Sequence, residues 1–126
     1  MVCLISNLGC ECQIIFIGLK NDALLHQSQA KGIYERAEKV NAKTSWISSS
    51  GGALWYNEPS ADWIIGHVDY LGASSGVISS TGDQGRSSCP YDVPKDAWLY
   101  VGNGAWIIAD ANDVSIDCLT GKLLVT

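Results

Sequence analysis

The stretch Ala53-Leu54-Trp55-Tyr56-Asn57-Glu58-Pro59-Ser60-Ala61-Asp62-Trp63-Ile64-Ile65-Gly66 decides the fold class. Two short runs of aromatic and β-branched residues flank the polar, proline-containing segment Asn57-Glu58-Pro59-Ser60, the pattern of two strands folded over a turn. The pattern returns 43 residues later: Trp55 stands eight residues before Trp63-Ile64-Ile65-Gly66, and Trp98 stands eight residues before Trp106-Ile107-Ile108-Ala109. The second copy turns over Gly102-Asn103-Gly104, residues that accept the positive φ of tight hairpin turns. Two related hairpins are expected, with Trp63 and Trp106, each next to an Ile-Ile pair, in the core.

Outward from these hairpins the chain keeps the same character. Ile33-Tyr34, Val40, Ser45-Trp46-Ile47, Gly76-Val77-Ile78 and Val114-Ser115-Ile116 are short apolar pieces, punctuated by many of the 13 glycines. Gln13-Ile14-Ile15-Phe16-Ile17-Gly18 reads as a strand buried on both faces. Asn21-Asp22 is placed to cap one short helix near residues 22–30, with Gly32 as its stop. The expectation is an all-β domain, a single compact antiparallel sandwich or barrel of about eight short strands over residues 10–118. Residues 1–9 form an N-terminal extension and residues 119–126 a C-terminal tail.

Composition narrows the function classes. With 126 residues, 47% of them apolar and 17% charged, the chain has the material for one self-sufficient core and is not of disordered type. Eight basic against thirteen acidic residues give a net charge of -5, and no basic stripe follows a row of phosphates, so nucleic-acid binding is not expected. The apolar run at residues 14–19 is far shorter than the ~20 residues of a spanning helix, so no membrane insertion is expected. The basic residues gather early, while nine carboxylates lie between Glu58 and Asp117 against Arg86 and Lys95. Such an acidic half promotes solubility and attracts cations or a basic partner.

Five cysteines, Cys3, Cys10, Cys12, Cys89 and Cys118, show no C-x-x-C spacing, which disfavours a zinc or thioredoxin-type site. Cys10, Cys12, Cys89 and Cys118 are disulfide candidates, with Cys10 or Cys12 bridging to Cys118, and Cys3 is left over. Free buried thiols are the alternative. Disulfides place the chain outside the cell or on the secretory route, although no basic residue precedes Lys20 to make a clear signal peptide.

Neighbouring residues of a strand point to opposite faces, so Trp55 and Tyr56 cannot enter one core, nor can Leu99 and Tyr100. Rings left outside, next to carboxylates, amides and guanidinium groups, are what a sugar-binding surface requires. The candidate ligand-binding residues are Trp55, Tyr56, Asp83, Gln84, Arg86, Tyr91 and Tyr100, the charged members lying in the glycine-rich loop at 79–88. Catalysis is not expected. His26 and His67 have no G-x-S-x-G or H-E-x-x-H setting, and Glu58, Asp62, Asp69 and Asp83 are the carboxylates from which a weak hydrolase would have to draw its pair. Asp110, Asn112 and Asp113 are a candidate calcium cluster without EF-hand spacing, their alternative role being a structural turn; no other cofactor is implied.

Several pieces taken in order carry a resemblance: Gly32-Ile33-Tyr34, Glu38-Lys39-Val40-Asn41, Trp46, Leu54-Trp55-Tyr56, Asp62-Trp63-Ile64-Ile65-Gly66, Ser80-Thr81-Gly82-Asp83-Gln84-Gly85, Cys89-Pro90-Tyr91-Asp92-Val93-Pro94, Trp98-Leu99-Tyr100 and Asn112-Asp113-Val114-Ser115-Ile116-Asp117-Cys118. Together they resemble a little-annotated family of small secreted animal β-modules over residues 10–118. Similar modules carry Val-Asn-Gly-Lys where this chain has Val40-Asn41-Ala42-Lys43. The resemblance implies an extracellular recognition or adhesion unit with no assigned catalytic residues; the aromatic and loop residues above add the expectation of a lectin-like module with a glycan or protein ligand. The rival expectation is a structural or protein-interaction module of a longer chain or homo-oligomer, with no small-molecule ligand.

Overall fold

The structure, a computed structural model, describes residues 10–81 and 89–119. Its strands are β1 (Ile14–Leu19), β2 (Gly32–Val40), β3 (Lys43–Ile47), β4 (Gly52–Asn57), β5 (Asp62–His67), β6 (Ile78–Ser80), β7 (Trp98–Gly102), β8 (Ala105–Ile108) and β9 (Val114–Cys118). Helix α1 (Asn21–Gln27) runs into a 3-10 turn at Ser28–Ala30 between β1 and β2. All nine strands belong to one antiparallel sheet in the order β8-β7-β6-β5-β4-β3-β2-β1-β9. The fold is therefore all-β as expected, with nine strands among the described residues where about eight were expected.

Connectivity forces this sheet to curl. Laid flat, nine strands at ~4.8 Å spacing would put β8 and β9 roughly 38 Å apart. Residues 109–113, the whole link between them, reach no more than about 20 Å. The sheet closes into a half-barrel, and α1 bridges its seam. From α1, Gln27 Nε2 donates to the Val101 carbonyl (2.6 Å), the Asp22 carboxylate accepts from the Tyr100 hydroxyl, and Asn21 Nδ2 donates to Asp113 Oδ1 (3.0 Å). His26 stacks on the Tyr100 ring with centroids 6.2 Å apart. Asn21 and Asp22 thus do not cap the helix: Lys20 holds the N-cap position without a side-chain bond, and the two side chains are used across the seam.

The turns follow local chemistry. Asn41 and Ala42 both have positive φ (54° and 71°), joining β2 to β3 with two residues where Val40 faces Lys43. An alanine occupies a position that favours glycine. Asn103 (φ 54°) and Gly104 (φ 80°) turn β7 into β8 with Gly102 opposite Ala105, whereas β4 and β5 pair outside a four-residue turn with Asn57 opposite Asp62. The two hairpins therefore exist but differ in register.

Inside the barrel lie Trp46, Trp63, Tyr56, Trp98, Tyr100, Ile15, Ile17, Leu54, Ile65, Ile78, Val114 and Ile116. Tyr56 meets Trp63 edge-on at 5.3 Å, and Trp46 packs against Trp63 and Tyr91, both at 6.2 Å. The Trp46 indole donates to the Cys12 carbonyl at 2.8 Å. A smaller cluster of Ala53, Trp55 and Ile64 lies on the outer face, covered by Val68 and Leu71 of the segment after β5, to which the Trp55 indole is tied through the Ala73 carbonyl (2.9 Å). Trp55 and Tyr56 thus enter two different layers, as strand alternation requires. Strand β1 is not buried on both faces: Ile15, Ile17 and Leu19 are buried, while Ile14, Phe16 and Gly18 lie half-buried on the uncovered side.

Two disulfides close the ends, Cys10–Cys89 and Cys12–Cys118, with Cα separations of 5.4 and 5.8 Å. Cys118 takes Cys12 of the two partners considered, and Cys89 takes Cys10. Cys3 lies outside the described residues. No described helix is long and apolar enough to cross a membrane.

Candidate functional site

Residues directly opposite one another on paired strands share a face. Through the register Trp55↔Ile64↔Ser79↔Leu99↔Ile108, these five side chains stand on the outer face of the barrel. Alternation adds Asn57 and Asp62 from β4 and β5, and Trp106 from β8, to the same face. The segment after β5 packs on β4 and β5 of this face, and its edge leaves a groove of about 260 Å³ lined by Asn57, Ser60, Asp62, Ser74, Ser79 and Trp106, with Ile64, Gly76 and Leu99.

The polar side of the groove is one directed chain of hydrogen bonds. The Ser74 hydroxyl donates to Asn57 Oδ1 at 2.9 Å, Asn57 Nδ2 donates to Ser60 Oγ, and Ser60 Oγ donates to Asp62 Oδ1. From the other side Ser79 Oγ donates to Asp62 Oδ2 at 3.1 Å, sharing its proton with the Ser80 carbonyl at 2.8 Å. Among the described residues each Asp62 oxygen accepts one bond, which leaves the carboxylate acceptor capacity for incoming hydroxyls. The apolar side is the indole of Trp106, 50% exposed, while Trp46, Trp55, Trp63 and Trp98 are fully buried. Ile108, 72% exposed, continues this strip along β8, which is an edge of the sheet.

This site is built from other residues than those expected. Trp55, Tyr56 and Tyr100 are buried, because the outer layer, the inner core and the α1 seam each claim one ring, and they offer no exposed platform. Tyr91 is half-buried against Trp46 and its hydroxyl accepts from the Cys12 N–H at 3.4 Å; burial raises its pKa. Asp83, Gln84 and Arg86 lie outside the described residues. Trp106, expected in the core, faces out. The two-residue turn at Asn103-Gly104 sets Trp106 opposite Val101, and with Trp98 and Tyr100 inward Val101 and its partner must point outward.

Asp110, Asn112 and Asp113, the candidate calcium residues, lie in one turn between β8 and β9. Asp113 is buried with its carboxylate bound by Asn21, Asp110 and Asn112 are exposed, and the Asp113 N–H closes a turn onto the Asp110 carbonyl at 3.0 Å with Asn112 at φ 79°. These local bonds are those the structural-turn alternative calls for. Among the described residues no three His, Cys, Asp or Glu side chains are grouped to hold a metal ion. His67 lies at the barrel end, by a cleft of about 130 Å³ shared with Gln27, Gly51 and Val77, its Nδ1 accepting from the Asp69 N–H at 3.1 Å.

Comparison with protein-family models, with curated proteins and with solved structures finds no match for this chain.

Proposed function

We propose that the chain is a non-catalytic extracellular recognition module that binds a carbohydrate across the Trp106 groove. The observation that carries this reading is the exposed Trp106 indole beside the Asp62 carboxylate. A pyranose C–H face stacks on an indole, and its hydroxyls donate to the free lone pairs of Asp62 and Ser74. The two disulfides fit an oxidising compartment.

The rival reading, a protein-interaction module, draws on the exposed Trp106 and Ile108 of an edge strand. Acrylamide quenching separates the two. Trp106 is expected to supply the accessible tryptophan fraction, Trp106→Phe to abolish it, and glycan-array hits to protect it in wild type and bind more weakly to Asp62→Ala. Array silence together with concentration-dependent self-association or capture of a protein on the β8 edge would favour the rival.

A further inference from the structure

A second groove lies on a different part of the outer face, independent of the Trp106 site. It follows β1 and β9, measures about 400 Å³, and is lined by Phe16, Gly18, Lys20, Lys31, Lys95, Asn112, Ser115 and Asp117. Three of the eight basic residues of a chain with net charge -5 converge here from three separate segments: the end of β1, the turn before β2 and the approach to β7. All three lysines are exposed, and none forms an ion pair or hydrogen bond through its side chain among the described residues. Like charges repel one another, and Asp117, the one carboxylate among the lining residues, offsets one of the three.

The floor is shaped as well as charged. Gly18 faces Ser115 across the β1–β9 pair, and a Cβ at Gly18 would sit 2.7 Å from Ser115 Oγ and 3.2 Å from the Phe16 ring. The missing side chain lets the Phe16 ring and the Ser115 hydroxyl close over the strand. Asn112, held at φ 79° by its turn, adds an amide at the rim. Ammonium groups recognise oxyanions, while a ring face, a hydroxyl and an amide suit the body of a sugar.

We propose that this groove binds the sulfate or carboxylate groups of an acidic polysaccharide. The chemistry asks for anionic groups carried on a saccharide, since a bare inorganic anion would use the lysines alone. The test is calorimetric titration of the whole chain, disulfides intact, with a size-defined heparin oligosaccharide, its desulfated form, inorganic sulfate and single-stranded DNA, at low and at moderate salt. Lys20→Gln, Lys31→Gln and Lys95→Gln are each expected to weaken oligosaccharide binding about five-fold at low salt, the effect of one unit charge a few ångströms away at the surface, and added salt should weaken it further. Lys39→Gln, which removes the same charge from elsewhere on the surface, is expected to change it less than two-fold. All four lysines are exposed, so folding is unaffected. Equal losses from Lys39→Gln and the groove variants, sulfate binding as tight as the oligosaccharide, or DNA binding as tight as either would overturn the proposal.

Discussion

Gly76→Ala isolates the contact that frames the Trp106 groove. Gly76 is not among the described glycines with positive φ, so alanine can adopt its backbone conformation and only space opposes the change. That space is absent: an added Cβ would sit 2.2 Å from Ile64 Cγ2 and 2.8 Å from the Ile65 carbonyl oxygen. Ile64 is a β-branched residue held in the outer cluster with Trp55, and the Ile65 carbonyl already accepts from the Val77 N–H at 2.8 Å. Neither neighbour yields without loss. Overpacking of this kind costs about 1–3 kcal/mol, and breaking the Val77 bond adds roughly 1 kcal/mol. The reduced freedom of the unfolded chain returns about 0.4–1 kcal/mol, leaving a net destabilisation of about 1–3.6 kcal/mol. For 126 residues this corresponds to a fall in Tm of roughly 4–14 °C. Thermal melting by circular dichroism measures it, with Gly104→Ala as a control: that glycine has φ 80° but open space around it, so only backbone strain of about 1 kcal/mol is expected. An unchanged Tm for Gly76→Ala, or a larger fall for Gly104→Ala, would refute the reasoning and with it the close seat of the covering segment on β5.

Two further outcomes follow from the same structure. With Cys10–Cys89 intact, the Cys12–Cys118 bridge beside the β1–β9 pair closes a loop of about 30 residues in the unfolded chain; replacing both cysteines by alanine should lower stability by about 3–4 kcal/mol in urea unfolding, and a change under 1 kcal/mol would contradict it. The Tyr34 hydroxyl is buried and donates to the Ala30 carbonyl at 2.8 Å, and burial pushes its pKa up from 10.0 to about 12. Its contribution is fully present below pH 10 and is lost as the pH rises toward 12, about 3 kcal/mol in all. Tyr100, raised to about 12 first by its hydrogen bond to Asp22 and then by burial, acts in the same direction. Unfolding free energy measured between pH 8 and 12 should fall above pH 10, and Tyr34→Phe should flatten that fall; an unchanged slope in the variant would assign it to other groups.

Much of the fold is legible in the residues, because strands and turns respond to neighbours close in sequence. The Trp55 and Trp98 hairpins, the two-residue turn at Asn103-Gly104 and the short helix after β1 follow from β-branched runs, positive-φ residues and a polar break. The split of Trp55 and Tyr56 into two layers follows from strand alternation alone. The site was less legible. Trp106 is the exposed ring, and its orientation depends on register: shifting the β7–β8 turn by one residue would reverse every side chain of β8. With Trp98 taken as inward, the Asn103-Gly104 turn places Trp106 outward, but the premise about Trp98 is itself tertiary.

Amino-acid order alone pointed to an antiparallel β-domain, named the four candidate disulfide cysteines and required neighbouring aromatics of one strand to take opposite faces. The tertiary structure decided which tryptophan is exposed, which cysteine meets which, and where Asp62 and the three lysines gather. The reason is distance along the chain: β9 reaches β1, and Lys95 reaches Lys20, only because a five-residue link makes a nine-stranded sheet curl, and no local pattern records that closure.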